Sequence, residues 1–171
     1  EGKIEMFGEM RRRKQLLSRE ECIRILQEGT SGVLALSGRD AYPYAVPLSY
    51  VYVQDKIFFH CAKAGYKLEA IERNPKASFC VIGQDQIMPE EYTTYFRSVI
   101  AFGKMRILTD EAEKRNAIEK LAERYTPYNE KGRLQEIERE YNRLCMLELE
   151  IEQMTGKEAI ELVKAKQINP N

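Results

Sequence analysis

The sequence predicts a mainly β protein, in which antiparallel strands form a closed or nearly closed barrel and helices are added at one end. About six short runs of apolar, aromatic and β-branched residues are separated by turn-forming segments. Helical periodicity is confined to stretches outside those runs. A length of 171 residues is typical of one domain, so we expect a single domain over 1–171.

The N-terminal part is predicted to be an arm followed by a helix. Residues 1–17 form the arm, and we expect its first few residues to be a remnant of expression. Ser18 and Glu21 have the spacing of a capping box, which begins the helix, and Gly29 ends it. A short apolar strand over 32–37 follows.

The segment over 42–53 is predicted to be one strand that is apolar or aromatic on both faces. An antiparallel strand with one solvated face would alternate with polar residues. We therefore expect the core on one face and a ligand or a partner chain on the other. Pro43 and Pro47 remove two backbone donors and argue against unbroken pairing. A turn leads into the next strand, over 57–62.

The middle of the chain is predicted to form one short helix followed by two strands. The helix covers 65–73 and begins at a glycine. A strand over 77–82 and a polar loop over 83–91 come next. A long strand over 93–108 completes this part, with Gly103 as a bend or bulge.

The C-terminal part is predicted to return to the sheet after a helical insertion over 109–144. Residues 145–152 alternate between apolar and acidic side chains, which indicates a strand with one solvated face. Thr155 and Glu158 again have capping-box spacing, so a terminal helix is expected over 155–168.

Composition excludes several classes of function. Lys+Arg 27 balances Asp+Glu 27, so the net charge gives no reason to expect nucleic acid. No apolar run approaches the ~20 residues of a membrane span. The four cysteines form no CxxC pair, and a single histidine cannot complete a typical zinc site, so no metal is expected. We expect reduced thiols and a cytoplasmic protein.

Two side chains in the middle of the chain could hold a phosphate ester. His60, the only histidine, ends a strand, and Lys67 lies one short loop away at the start of a helix, where free N–H groups and positive potential favour anions. Ser49 and Ser98 are hydroxyls on otherwise apolar strands. The alternatives are a core histidine, a solvated lysine and serines bonded to the backbone. No GxGxxG or P-loop is present, so redox chemistry would need a cofactor that binds without a Rossmann unit.

One block of motifs resembles the nitroimidazole-resistance (Nim) family, within the pyridoxamine 5'-phosphate oxidase-like, FMN-binding split-barrel superfamily. The similarity covers roughly 17–102 and continues more loosely towards 160. The motifs are Pro43-Tyr44-Ala45-Val46-Pro47-Leu48-Ser49-Tyr50, Phe59-His60-Cys61-Ala62, Gly65-Tyr66-Lys67-Leu68, Asn74-Pro75 and Ser98-Val99.

The resemblance implies a six-stranded, antiparallel Greek-key split β-barrel that forms a two-fold homodimer with FMN at the interface. Lys67 and Ser49 would hold the phosphate, Ser98 would position FMN, and His60 would be catalytic, close to cofactor or substrate. The cofactor-binding residues that the resemblance assigns are Val46, Pro47, Leu48, Ser49, Phe59, His60, Lys67 and Ser98.

The resemblance also implies a function, with departures that limit it. The pyridoxamine oxidases have an arginine before the lysine, where this chain has Tyr66, and Tyr44 and Ser49 replace two basic residues. A less positive site argues against pyridoxamine phosphate oxidation. The implied function is an FMN-dependent oxidoreductase that reduces small nitroaromatics such as 5-nitroimidazoles. The alternatives are a haem- or deazaflavin-using relative and a non-catalytic flavin-binding module.

Overall fold

The structure is a computed structural model that describes residues 10–168. Within this range the chain forms five α-helices and seven strands. The helices are α1 (Arg19–Glu28), α2 (Tyr66–Arg73), α3 (Glu111–Tyr125), α4 (Glu130–Glu140) and α5 (Ile160–Ile168). The strands are β1 (Ser31–Ser37), β2 (Pro43–Ser49), β3 (Val51–Val53), β4 (Lys56–Ala62), β5 (Lys76–Met88), β6 (Thr93–Ile107) and β7 (Leu144–Glu158).

All the strands belong to one antiparallel sheet in the order β2-β1-β5-β6-β7-β4-β3. The prediction of six strands is wrong, because the single strand expected over 42–53 is divided at Tyr50 into β2 and β3. These two strands are consecutive in the chain but lie at opposite edges of the sheet. The chain itself therefore crosses from one edge to the other.

Tyr50 is fully buried at this crossing, where its backbone pairs with no neighbouring strand. Its N–H donates to the hydroxyl of Tyr125 at the end of α3 (3.0 Å), and that hydroxyl lies 3.2 Å from the carbonyl oxygen of Tyr50. The phenol of Tyr50 donates to the Leu26 carbonyl oxygen (2.7 Å). A buried break in a strand is stable only when such partners replace the lost ladder bonds.

The sheet curls around one main core. Strands from both sides of the sheet contribute to it, including Leu34 of β1, Phe79 of β5 and Phe59 of β4. The rings of Phe59 and Phe79 meet edge to face, with centroids 5.0 Å apart. A shared core between the two ends of an antiparallel sheet is what a barrel-like arrangement requires.

A second, smaller core lies on the opposite surface of β3, β4 and β7. Helices α3 and α4 cover it, and it includes Phe58, Ile118, Ile137 and Met146. It covers the first part of the β7 face that was expected to be solvated, at Met146 and Glu148, whereas Glu150 and Glu152 on the same face are exposed as expected. Glu148 on that face is buried and bonded to the Lys56 ammonium (3.1 Å) and the Arg106 guanidinium (3.1 Å).

The prediction of a polar loop over 83–91 is wrong for most of that range. Strand β5 continues to Met88 and pairs with the first residues of β6, with a register shift around Gly83. The backbone of this polar segment is satisfied by its neighbour, so a hairpin exposed to water remains stable. Gly103 does mark an irregularity in the pairing of β6 with β7, as predicted.

The two predicted capping boxes have different outcomes. Ser18 and Glu21 form theirs at the start of α1. Thr155 and Glu158 do not, because β7 continues to Glu158 and the terminal helix begins only at Ile160. Glu158 is buried and bonded to Arg97 (3.1 Å) and Lys166 (2.8 Å) instead.

Candidate functional site

A cavity of about 540 Å³ lies between the sheet and the helical insertion. Ser49, at the end of β2, and the last three residues of β4 form one wall. Helices α3 and α4 and the start of β7 form the other. That helical side comprises Ile118, Leu121, Ala122, Tyr125, Glu136, Ile137, Glu140, Arg143 and Leu144. The volume lies within the range of small-molecule sites.

His60 contributes an imidazole to this cavity. Along β4 it shares a face with Phe58, outside the main core, and pairs with Met146 of β7. Its ring forms no hydrogen bond with any residue between 10 and 168. Its pKa lies below the ordinary value, because the protein on one side of the ring removes part of its surrounding water and because the positive charge of Lys67 opposes protonation. The structure therefore favours a neutral imidazole, able to donate one hydrogen bond and accept another.

Lys67 lies in the first turn of α2, beside His60. Gly65 precedes the helix with φ 133°, a backbone conformation that favours glycine, and no side chain caps the N-terminus. The half-buried Lys67 makes no hydrogen bond or ion pair with a described residue. Its charge acts on both His60 and Cys61. An uncapped helix start with an uncommitted lysine is suited to an anion.

Tyr66, which precedes Lys67, does not line the cavity. It packs edge to face against Tyr44 (4.7 Å between centroids) and under the Arg39 guanidinium (5.1 Å). Its hydroxyl accepts the backbone N–H of Arg39. Tyr66 thus joins α2 to the turn between β1 and β2.

Three of the predicted cofactor residues point into the core. Val46 and Leu48 of β2 are half-buried against the main core, and Phe59 is fully buried within it. Of the three, Phe59 offers only backbone atoms to a ligand. Sequence reasoning grouped these residues with their neighbours along each strand, but alternate residues of a strand face opposite ways.

Pro47 and Ser98 lie on a different surface, which we call the outer sheet face. It is the outward side of β2, β1, β5 and β6, and one row across it joins Pro47, Val33, Cys80 and Ile100 through successive strand pairs. Much of it is apolar and exposed, including Val33 at 40% and Ile82 at 66%. Ser98, opposite Ile82 in the ladder, does not line the cavity.

The helical wall of the cavity was missed as a site by sequence reasoning. The apolar stripe of α3 was visible in the sequence, but such a stripe indicates only a buried face. Nothing local indicates that Leu121 and Ile137 leave a space in front of His60. Within residues 10–168 no group of three metal-ligating side chains occurs, and no helix is long and apolar enough to cross a membrane.

The family model described as pyridoxamine 5'-phosphate oxidase matches residues 18–158. The chain belongs to this family. None of the curated proteins matches the sequence. The inferred membership of the pyridoxamine 5'-phosphate oxidase-like superfamily is thereby confirmed.

Solved structures share the fold. A proposed 5-nitroimidazole antibiotic resistance protein from Bacteroides thetaiotaomicron is 20% identical, with a TM-score of 0.69, over 83% of this chain and 85% of that chain. A FAD-binding protein from Mesorhizobium loti is 27% identical, with a TM-score of 0.63, over 85% and 97% of the two chains. A FAD and haem binding protein from Mycobacterium smegmatis is 24% identical, with a TM-score of 0.69, over 89% and 80%.

Proposed function

We propose that the protein binds FMN beside Lys67 and uses it to reduce small nitroaromatic compounds such as 5-nitroimidazoles. The observation that carries this proposal is a convergence of polar groups. Ser49 and His60 line one cavity, Lys67 is close enough to act on His60 electrostatically, and none of the three is hydrogen-bonded to a residue of the described range. Polar groups without protein partners around a cavity are typical of a ligand site.

The residues present fit a flavin mononucleotide. The phosphate would lie against Lys67 and the uncapped N-terminus of α2, with the Ser49 hydroxyl as a further donor. The apolar helical wall, including Leu121 and Ile137, suits a flat aromatic ring. Bound FMN would supply the electron-transfer chemistry. The neutral imidazole of His60 would hydrogen-bond cofactor or substrate. The FAD-binding relative from Mesorhizobium loti supports a flavin, and a lysine in the first turn of an uncapped helix suits the terminal phosphate of the mononucleotide.

We further propose a two-fold homodimer through the outer sheet face. A contiguous apolar surface on a sheet is a typical interaction site. Ser98 lies on this face and away from the cavity, so it could meet a flavin only where a second copy packs there. We expect the interface to bury more than ~2,000 Å², the range of obligate dimers. The free cysteines are consistent with the cytoplasmic location that we propose.

A haem-binding protein is the second candidate. His60 is a neutral imidazole without a partner in the described chain, and it faces a largely apolar cavity, as a haem ligand would. A flavocytochrome from Azotobacter vinelandii shares the fold at 18% identity and a TM-score of 0.74. A non-catalytic flavin-binding module would use the same residues as the enzyme, without turnover.

The visible spectrum of the purified protein separates these candidates. We expect flavin absorption after reconstitution with FMN and no Soret band after reconstitution with haem. Anaerobic reduction of a 5-nitroimidazole by the reduced holoprotein would then distinguish an enzyme from a binding module. Binding of haem but not FMN, or FMN binding without turnover, would contradict the leading proposal.

The role of His60 has its own test. Because its ring is accessible and forms no described hydrogen bond, His60→Ala should change the free energy of unfolding of the apoprotein by less than about 0.5 kcal/mol. It should, however, alter the flavin spectrum or the rate of nitroimidazole reduction. A loss of apoprotein stability with an unchanged rate per folded molecule would assign His60 to the scaffold.

A further inference from the structure

Cys61 and Cys145 form a pair that the proposed flavin function does not use. They lie directly opposite each other on β4 and β7, and both side chains pack against the main core. Both are half-buried. Cys80 faces Val33 and Ile100 across its neighbouring strands, and Cys22 is buried on α1. The opposition of two cysteines is therefore particular to this point of the sheet.

The strand geometry already suits a disulfide. Residues directly opposite each other in an antiparallel pair have Cα atoms about 4.5 or 5.5 Å apart, depending on whether they exchange hydrogen bonds. Disulfides join cysteines whose Cα atoms are about 4.4–6.8 Å apart. Either kind of pair lies within that range, so Cys61 and Cys145 could be joined without separating β4 from β7.

We propose that Cys61 and Cys145 are a reversible dithiol–disulfide site on the main-core side of β4 and β7. Hydrogen peroxide oxidises one thiol to a sulfenic acid and releases water. The second thiol attacks that sulfur, which forms the S–S bond and releases a second water. A small dithiol reductant returns both thiols by exchange and becomes a disulfide itself.

The surroundings of the two cysteines make the first oxidation slower than the formation of the disulfide. Burial raises the pKa of Cys61 to about 11, although the positive charge of Lys67 acts in the opposite direction. Few thiolates are present at neutral pH, so the first oxidation is slow. The second step needs no diffusion, because the partner thiol belongs to the residue directly opposite in the strand pair. Capture by the partner therefore precedes further oxidation of the sulfenic acid.

The position of the pair links it to the cavity. Cys61 lines the cavity next to His60, and Cys145 follows Leu144, which also lines the cavity and pairs with Ala62. A bond between them would tie the last residues of β4 to the start of β7, immediately after the chain leaves α4. It would also close a long loop that contains β5 and β6, which stabilises the folded state.

Peptide mapping of the purified full-length protein tests the proposal. The protein is treated with hydrogen peroxide, its free thiols are alkylated, and it is digested without reductant and analysed by mass spectrometry. We expect a Cys61–Cys145 linked peptide that dithiothreitol removes. We also expect the melting temperature to rise on oxidation and to return on reduction.

Matched variants complete the test. Cys145→Ser should abolish both the linked peptide and the rise in melting temperature, whereas Cys80→Ser should leave both unchanged. The linked peptide is sought in the unmodified protein. That measurement therefore still decides the question if Cys145→Ser fails to fold. Recovery of Cys61 and Cys145 as alkylated thiols or as separate sulfinic acids after peroxide treatment would overturn the proposal.

Discussion

The outer surface of the sheet has two halves that are similarly apolar and differently covered. Over β3, β4 and β7, helices α3 and α4 bury Phe58 to 5% exposure and Met146 completely. Over β2, β1, β5 and β6, Val33 and Ile82 remain 40% and 66% exposed. The helices of the chain thus cover one half of the outer surface. No described residue range covers the other half.

This difference indicates where a partner is needed. A soluble chain seldom leaves a contiguous apolar sheet surface in water, so the uncovered half is the one we assign to a second copy. The cavity lies at the end of the covered half, where Ser49 and His60 meet the helical insertion. On this account the helices shape the ligand site and the uncovered half assembles the dimer.

The largest effect is expected from a charge placed in the uncovered half. Val33→Glu would put one unpaired carboxylate from each protomer into the interface, and each should cost about 3 kcal/mol. Two-fold symmetry doubles the loss to about 6 kcal/mol. Sedimentation should show a folded monomer at concentrations where the unmodified protein is a dimer.

A control lies on the helical insertion. Tyr128 is fully exposed there, outside both halves, so Tyr128→Glu should leave the dimer intact. If Val33→Glu remains a dimer, or if the unmodified protein sediments as a monomer at micromolar concentration with FMN bound, the outer sheet face is not the interface.

A smaller effect is expected in the covered half. Met146 is fully buried beneath α3, and Met146→Ala should lower the free energy of unfolding by about 2–5 kcal/mol through lost contacts and a cavity. Ile82→Ala, made in the monomeric Val33→Glu variant, should change it by less than about 0.5 kcal/mol. Chemical denaturation measures both, and equal losses would show that the two halves do not differ in the monomer.

The elements that the sequence predicts well are those whose signals are local. The capping box of Ser18 and Glu21 is satisfied within four residues. The same pattern at Thr155 and Glu158 fails because the backbone there pairs with β6, more than fifty residues away along the chain. Local spacing does not reveal such a partner. The division at Tyr50 is equally hidden, since it depends on the hydroxyl of Tyr125.

The candidate site is predictable in part for the same reason. Ser49, His60 and Lys67 belong to motifs by which the family resemblance is identified, and the structure brings them to one region. The inward direction of Phe59 follows from strand alternation once β4 is placed, whereas the helical wall depends on how α3 and α4 dock. That docking combines buried apolar contacts with the ion pair between Arg106 of β6 and Glu113 of α3, and the sequence specifies neither in advance.

The phosphate site beside Lys67 is tested most directly by comparing two ligands. FMN and riboflavin differ only in the phosphate, so titrations of both are compared between the unmodified protein and Lys67→Ala. We expect FMN binding to weaken by about 1.5–3 kcal/mol, as for a lost hydrogen bond to a charged group, and riboflavin binding to change little. Equal losses for the two ligands, or no loss of FMN affinity, would contradict the account.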